Sequence, residues 1–134
     1  MATGTAGTTA QQYHTRQTHF LVKKITYADD GTTVTVGKLP ANCSVIDVIV
    51  HVTTAFNGNS TNTVDVGVTG NTNDFTDDTA LGTVGVIRDT ELATATSADI
   101  TADIDCVAVV VSTASASAGV AYVIVEYCPW FAEA

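Results

Sequence analysis

The clearest pattern of apolar and polar positions runs from residue 44 to residue 56. Its even positions hold Ile46, Val48, Val50, Val52, Thr54 and Phe56. Alternate side chains of a strand project to opposite faces, whereas a helix would scatter this set around its circumference. The run therefore predicts the central strand of the domain, with its large apolar even residues, Ile46, Val48, Val50, Val52 and Phe56, in the core. Its odd positions include Asp47, Ile49 and His51, a mixed face that fits contact with a second layer or a neighbouring subunit.

Shorter runs of apolar residues, some of them alternating with polar ones, predict further strands along the chain. They cover residues 19–27, 32–38, 63–68, 81–88, 100–104, 106–112 and 119–128. The first two are joined by Asp30-Gly31, a turn signal that predicts a β-hairpin. The last is apolar on both faces, which indicates a strand that is covered on both sides or lies at an interface. Residues 69–79 are polar and predict a loop, with Phe75 as an anchor.

These runs predict a single all-β domain. About eight strands with turn signals every 8–12 residues or so are typical of a β-sandwich, and eight strands favour a jelly-roll arrangement. Residues 1–12 are small and polar without periodicity. We therefore expect a flexible N-terminal arm at residues 1–16, followed by the sandwich at residues 17–134. The residues leave open whether the arm orders against a partner or is a disordered terminus.

The charge balance limits the classes of partner. The net charge is −9, and only 14% of the residues are charged. Affinity for nucleic acids comes largely from Lys and Arg, so neither nucleic acid nor an anionic membrane is an expected partner. No apolar run approaches the ~20 residues of a transmembrane helix. The low charge favours a surface that packs against other subunits.

Basic residues are few and lie mostly near the N-terminus. They are Arg16, Lys23, Lys24, Lys38 and Arg88. This asymmetry fits docking of the N-terminal region on an acidic partner surface. An equally good interpretation is that Lys23 and Lys24 protect a strand edge against aggregation.

Catalytic and metal-binding motifs are not recognisable in the sequence. The three histidines have no zinc-like spacing, and Cys43, Cys106 and Cys128 form no Cys-x-x-Cys pair. One disulfide with one remaining thiol stays open. Carboxylates near residues 74–78 could ligate calcium, but their spacing matches no EF-hand, so a solvated acidic stretch is the default. We expect a protein without enzymatic activity, cofactor or metal.

Large aromatic residues lie near both ends of the chain. Trp130 and Phe131 follow a proline and either fold back over the sandwich edge or dock into a neighbour. Aromatic residues contribute strongly to interfaces when they are buried there. The candidate interface residues are Tyr13, Arg16, Lys23, Lys24, Tyr127, Trp130 and Phe131.

Several segments resemble a pattern in small virion proteins of tailed bacteriophages. They are Gly37-Lys38-Leu39-Pro40-Ala41, the strand that ends in Thr54-Ala55-Phe56-Asn57, Val64-Asp65-Val66-Gly67, and Gly119-Val120-Ala121-Tyr122. The resemblance spans roughly residues 18–128 and implies a capsid decoration (cement) protein on the outside of the phage head. It further implies the major capsid protein as partner, a homo-oligomer with a trimer favoured, and a place on the virion surface after synthesis in the host cytoplasm.

Two other functions remain open at this point. A jelly roll with polar loops at residues 57–62 and 69–79 also fits a receptor- or carbohydrate-binding module of a fibre or adhesin. A head–tail or tail component is the other alternative.

Overall fold

The structure, a computed structural model, describes residues 18–88, 91–113 and 115–129. Its strands are β1 (His19–Thr26), β2 (Thr33–Leu39), β3 (Cys43–Thr54), β4 (Asn62–Val68), β5 (Asn71–Ala80), β6 (Gly85–Arg88), β7 (Asp99–Ile100), β8 (Ile104–Ser112) and β9 (Val120–Pro129). Two short 3-10 helices, Tyr27–Asp29 and Glu91–Thr94, lie in the connections. Strands thus form nearly all of the regular structure in the described residues.

The strands form two antiparallel sheets that pack face to face. Sheet A has the order β1-β9-β3-β6, with β7 also paired to β3, and sheet B has the order β2-β8-β4-β5. Four pairs are nested along the chain, since β4 pairs with β5, β3 with β6, β2 with β8 and β1 with β9. The predicted single-domain β-sandwich is therefore confirmed.

The core lies between the two sheets and consists mainly of valine. Sheet A contributes Val48, Val50, Val52, Val123 and Val125, and sheet B contributes Val64, Val66, Phe75 and Val110. Each fully buried side chain of this kind stabilises the fold by about 1.5–3 kcal/mol. The β-branched residues that give the sequence its period of two are thus the residues that hold the sheets together.

One core prediction for β3 is wrong because the strand contains a β-bulge. Val48, Val50 and Val52 are buried as predicted, but Ile46 is 48% exposed. The pairing of β3 with β9 shifts register between Val45 and Asp47. A bulge adds one residue to one strand and exchanges its two faces beyond that point. Val45 therefore enters the core in place of Ile46.

The predicted hairpin between the first two strands is also wrong. β1 pairs with β9 in sheet A, while β2 pairs with β8 in sheet B, so the Asp30-Gly31 turn connects the two sheets. The Asp29 carboxylate accepts a hydrogen bond from the Thr26 backbone N–H at 2.8 Å, and the Asp30 carboxylate accepts one from Ser112 N–H. These bonds direct the chain across the sandwich. A turn motif in the sequence predicts that the chain changes direction, but it does not predict which strands then pair with each other.

Residues 71–80 form strand β5, whereas the sequence predicted a loop. The strand lies at the edge of sheet B, and its pairing with β4 has two register shifts. Phe75 and Thr76 are buried in succession, so the alternation that identifies a strand is lost. The prediction that Phe75 is an anchor is confirmed, because its side chain is fully buried in the core.

The remaining predicted strands are found with shifted ends. The run at residues 81–88 shortens to β6, and the run at residues 100–104 divides between β7 and the start of β8. The central strand and the last strand lie side by side, since β9 is flanked by β1 and β3. This placement gives sheet A a broad outer face.

Candidate interaction surface

The outer face of sheet A carries several apolar residues that the core does not use. Cross-strand partners form rows across the sheet, because directly opposed residues lie about 4.5–5.5 Å apart between Cβ atoms. The middle row runs from Val22 on β1 through Ile124 on β9 to Ile49 on β3 and ends at Arg88 on β6. We call Val22, Ile124 and Ile49 the apolar row.

Several side chains around this row are unusually exposed for their type. Val22 is 56% exposed, Phe20 58% and Val86 63%. Ile124 and Ile49 are half-buried between their neighbours in the sheet. Single exposed apolar residues are common, but a contiguous group in the middle of a sheet indicates a surface that contacts something else.

Charged residues lie on the two sides of the apolar row. One neighbouring row contains Phe20, Glu126 and Asp47, and the other contains Lys24, Tyr122, His51 and Val86. Asp47 forms an ion pair with Arg88 at 3.1 Å. The side with Glu126 and Asp47 is therefore acidic, although Arg88 neutralises Asp47. The side with Lys24 and His51 carries the basic residues. The sequence prediction that the odd face of the central strand makes contacts remains a prediction, and its residues belong to this face.

Lys23 and Lys24 of the candidate set lie on opposite faces of β1. Lys24 projects from the outer face, opposite Tyr122, while Lys23 belongs to the face of Leu21 and Ile25. Both lysines are exposed, and neither forms an ion pair within the described residues. β1 is an edge strand, so Lys23 is a charge on the inward side of an edge. This is a recognised protection against edge-to-edge pairing.

Tyr127 lies at the end of β9, where it packs against the core. Its ring stacks on the ring of His19, with centroids 5.6 Å apart and an interplanar angle of 27°. Much of its apolar surface is therefore used within the chain. The other candidate interface residues, Tyr13, Arg16, Trp130 and Phe131, lie outside the described residues, as does the predicted arm.

The residues that sequence reasoning missed are Phe20, Val22 and Ile124. In the sequence, Phe20 and Val22 belong to an apolar cluster with Leu21, so no alternation separates an inner face from an outer face. The one available signal was the apolar character of both faces of the last strand, which includes Ile124. Only the pairing of β1 with β9 places these residues in one surface.

Three carboxylates meet on the outside of sheet B. Ligand oxygens of Asp65, Asp77 and Asp78 lie within 4.8 Å of one another. Burial, followed by the charges of Asp77 and Asp78, raises the pKa of Asp65, although a hydrogen bond from Asp78 N–H opposes this. Three carboxylates are fewer than the six to eight oxygens that calcium prefers, although one carboxylate can supply two. The cluster is mostly exposed and by itself defines no metal site.

Asp74, which the sequence grouped with these acids, has a different role. Its carboxylate accepts hydrogen bonds from the backbone N–H groups of Thr96 and Ser97. Burial acts to raise the pKa of Asp74, but these hydrogen bonds outweigh it and the pKa is lowered. Asp74 therefore holds residues 96–97, which follow the second 3-10 helix, against β5 through these hydrogen bonds.

Cys43 and Cys106 are buried thiols. Burial, assisted by the Asp99 and Cys128 charges, raises the pKa of Cys43 to about 11, and burial alone raises the pKa of Cys106 to about 12. Thiols react as thiolates, so neither residue is a nucleophile at neutral pH. The alternative that two cysteines form a disulfide is not realised in this structure.

A cleft of about 270 Å³ lies between the end of β4 and residues 96–104. Its lining combines Val68, Ile100 and Ile104 with hydroxyl groups and the carboxylates of Asp99 and Asp103. Asp103 also accepts a hydrogen bond from the Ala41 backbone N–H at 2.8 Å. Of the two polar loops that suggested carbohydrate binding, residues 71–80 form β5 instead.

The fold resembles chains from three bacteriophage capsids. A chain in the cyanophage Pam1 capsid asymmetric unit matches with a TM-score of 0.67 and 17% sequence identity, over 91% of each chain. A chain in the capsid of Ralstonia phage GP4 matches with a TM-score of 0.65 and 18% identity, over 92% of this chain and 90% of that one. The shared fold is that of chains in phage capsids. The expected likeness to phage virion proteins is thus confirmed for the fold.

The third structure gives a weaker match of the same kind. It is the acidic stable capsid structure of Helicobacter pylori bacteriophage KHP30, with a TM-score of 0.53 and 16% identity, over 84% of this chain and 89% of that one. No protein-family profile and no curated protein matches the sequence. Among the described residues, no helix has the length and apolarity to cross a membrane.

Proposed function

We propose that the protein is a capsid decoration, or cement, protein that binds the outside of a phage head and stabilises it. The observation that supports this most is the fold match over about nine-tenths of the chain to chains in two phage capsid structures. A β-sandwich without a catalytic cluster in its described residues fits a structural role. The protein would then act by binding and not by catalysis.

The net charge of −9 favours the outer surface of the head over its interior. Packaged DNA repels an acidic protein, because phosphate contacts depend on Lys and Arg. The acidic cluster of Asp65, Asp77 and Asp78 on sheet B fits a surface exposed to solvent. We therefore place the protein on the virion surface, with the major capsid protein as its partner.

We infer that the nested strand pairs form a jelly roll. An antiparallel hairpin of eight strands, rolled so that its ends meet its middle, gives the order β1-β9-β3-β6 opposite β2-β8-β4-β5. β7 is a short addition beside β3. The homotrimer remains a proposal that depends on the phage resemblance. Mass measurement of the free protein tests it.

The cement role predicts that heads without this protein are less stable. A protein that binds only the assembled shell stabilises that shell by mass action, and many copies act together. Heads that lack it should release their genome at a lower temperature, and adding the purified protein should restore the original temperature. Genome release can be followed by the fluorescence of a DNA dye during heating. Equal release temperatures with and without the protein would exclude the cement role.

Copy number separates this role from a head–tail or tail component. Quantitative mass spectrometry of purified virions should give hundreds of copies for a lattice-bound decoration protein. A dozen copies or fewer would indicate a connector or a tail part.

A further inference from the structure

We propose that the outer face of sheet A is a self-complementary contact that pairs two copies of this chain about a two-fold axis. The inference concerns contacts between copies and goes beyond the decoration role. It does not depend on that role, since two chains can pair whether or not they bind a phage head. The occupant of the face is a second copy of the same chain.

The centre of the contact is the apolar row. Val22, Ile124 and Ile49 lie on three adjacent strands, with Val22 more than half exposed. Phe20 and Val86, which are exposed to a similar degree, lie at opposite corners of the same face. Two copies that place their apolar rows against each other would remove all of these side chains from water.

The charges beside the row determine how two copies fit. Glu126 lies on one side of the apolar row and Lys24 lies on the other. A two-fold axis along the row places the side with Glu126 in one copy over the side with Lys24 in the other, and the reverse. Lys24 lies on β1 and Glu126 on the adjacent strand β9, so in the paired copies they are offset sideways by one strand spacing, about 4.8 Å. A lysine side chain can span this offset. Each interface therefore contains two Lys24–Glu126 pairs.

The same axis also brings residues of opposite character on β3 together. Asp47 lies on the Glu126 side and His51 on the Lys24 side, so Asp47 of one copy faces His51 of the other. A two-fold axis perpendicular to the row would instead place the side with Glu126 and Asp47 in one copy over the same acidic side of the other. An isologous contact of this type closes on itself and produces a pair of chains.

The distribution of charge over the molecule also favours a second copy. The chain has 14 acidic and 5 basic residues. On this face, however, Lys24 and Arg88 balance Glu126 and Asp47. Arg88 lies on the axis opposite Arg88 of the other copy, and its ion pair with Asp47 of its own chain neutralises it there. Two copies can thus approach here with little of the repulsion that the net charge of −9 causes elsewhere.

Pairing across the face is favoured over pairing along the strand edge. Lys23 points from the inner side of β1, where an added strand would bury it. The outer face has a size of about 500 Å² per copy, from a strand spacing of about 4.8 Å and a rise of about 3.3 Å per residue. The total of about 1,000 Å² is at the lower end for specific interfaces, so the contact should depend on concentration.

The oligomeric state of the full chain tests the contact. Sedimentation velocity at rising concentration should show an even multiple of the 13.8 kDa chain, namely two, or six if trimers form through another surface. Val22→Glu places a charge in the apolar row and should halve the mass. Thr33→Glu adds the same charge at an exposed position of sheet B and should leave the mass unchanged.

A charge exchange tests the axis itself. Lys24→Glu should shift the dissociation concentration upward by at least tenfold, because it places two acidic residues together. Adding Glu126→Lys to that variant restores the pair with reversed signs and should recover most of the affinity. The two positions lie two rows apart in one chain, so recovery reports a contact between copies. Circular dichroism spectra confirm that each variant is folded.

Three results would overturn the inference. A wild-type protein with an odd multiple of the chain mass at all concentrations has no two-fold contact. An unchanged mass for Val22→Glu places the contact elsewhere. A monomer whose binding to phage heads is lost in Val22→Glu shows that the capsid shell, and not a second copy, occupies the face.

Discussion

Gly119 lies directly beside the buried ring of Phe56. A Cβ atom at this position would come within 2.5–2.9 Å of three ring atoms, and the backbone has a φ of +151°. Phe56 is buried, and its backbone N–H donates to Leu81 O at 3.0 Å, so the ring has little room to move. The glycine is therefore required by a close approach as well as by its backbone conformation.

Gly119→Ala should lower the free energy of unfolding by about 2–4 kcal/mol, since strain and overlap add. Gly85 provides the matched control, because its φ is +154° and a Cβ there meets nothing within 4 Å. Urea unfolding should show a clearly smaller loss for Gly85→Ala. Equal losses would mean that the contact with Phe56 has no energetic role.

Cys106 lies in β8 with its thiol inside the core. Burial raises its pKa from 9.0 to about 12. The folded-state pKa is thus above the unfolded-state value, so the thiol contributes fully to stability below pH 9. This contribution is lost as the pH rises from 9 toward 12, because the unfolded chain then ionises first.

The wild type should therefore lose stability above pH 9 more steeply than Cys106→Ala, by about 1.4 kcal/mol per pH unit. Guanidinium unfolding of both proteins between pH 7 and pH 11 measures the difference. Ionisation of other groups affects both proteins alike, so it cancels in the comparison. Parallel pH profiles would show that ionisation of Cys106 is not linked to unfolding.

Among the elements, β3 shows how one added residue changes a strand. The bulge between Val45 and Asp47 exchanges the inner and outer faces of its first part. Val45 is buried next to Val48, and Ile46 projects outward. The alternation in the sequence continues across the bulge, so it assigns Ile46 to the wrong face.

Val45→Ala should lower the free energy of unfolding by about 2 kcal/mol, because it removes buried methyl groups and leaves a cavity. Ile46→Ala removes more carbon atoms but should cost less than about 1 kcal/mol, since much of the side chain is already in water. Urea titrations of the two variants give the comparison. The reverse order would mean that the unbulged register is the correct one.

At the scale of the whole molecule, the proposed decoration role needs a part of the chain that contacts the capsid. Four of the five basic residues lie before residue 40, although the chain as a whole is acidic. Residues 1–17 lie outside the described residues, and β1 begins at His19. We propose that the N-terminal arm at residues 1–16, together with the region of Arg16, Lys23 and Lys24, contacts the capsid protein or a neighbouring subunit.

Deletion of residues 1–12 should weaken binding to phage heads at least tenfold, while the melting temperature of the free protein stays within a few degrees, because every described strand lies at or beyond His19. Co-sedimentation with heads measures binding, and scanning calorimetry measures melting. Undiminished binding of the shortened protein would remove the arm from the contact.

The sequence by itself determined the class of the fold and much of its core. Period-two valines such as Val50 and Val64 can be buried together only in strands, and the turn residues between them separate the strands. The acidic charge likewise disfavours partners that are recognised through phosphate groups. These properties are local in the chain, so no knowledge of strand neighbours was needed.

Tertiary structure alone decided which strands are neighbours and which residues share a surface. The pairing of β1 with β9 turned a predicted hairpin into a crossing between sheets and brought Val22 beside Ile124. Bulges moved Ile46 out of the core and concealed β5 from the alternation pattern. Register and pairing depend on contacts between residues far apart in sequence, and a period read along one segment does not contain them.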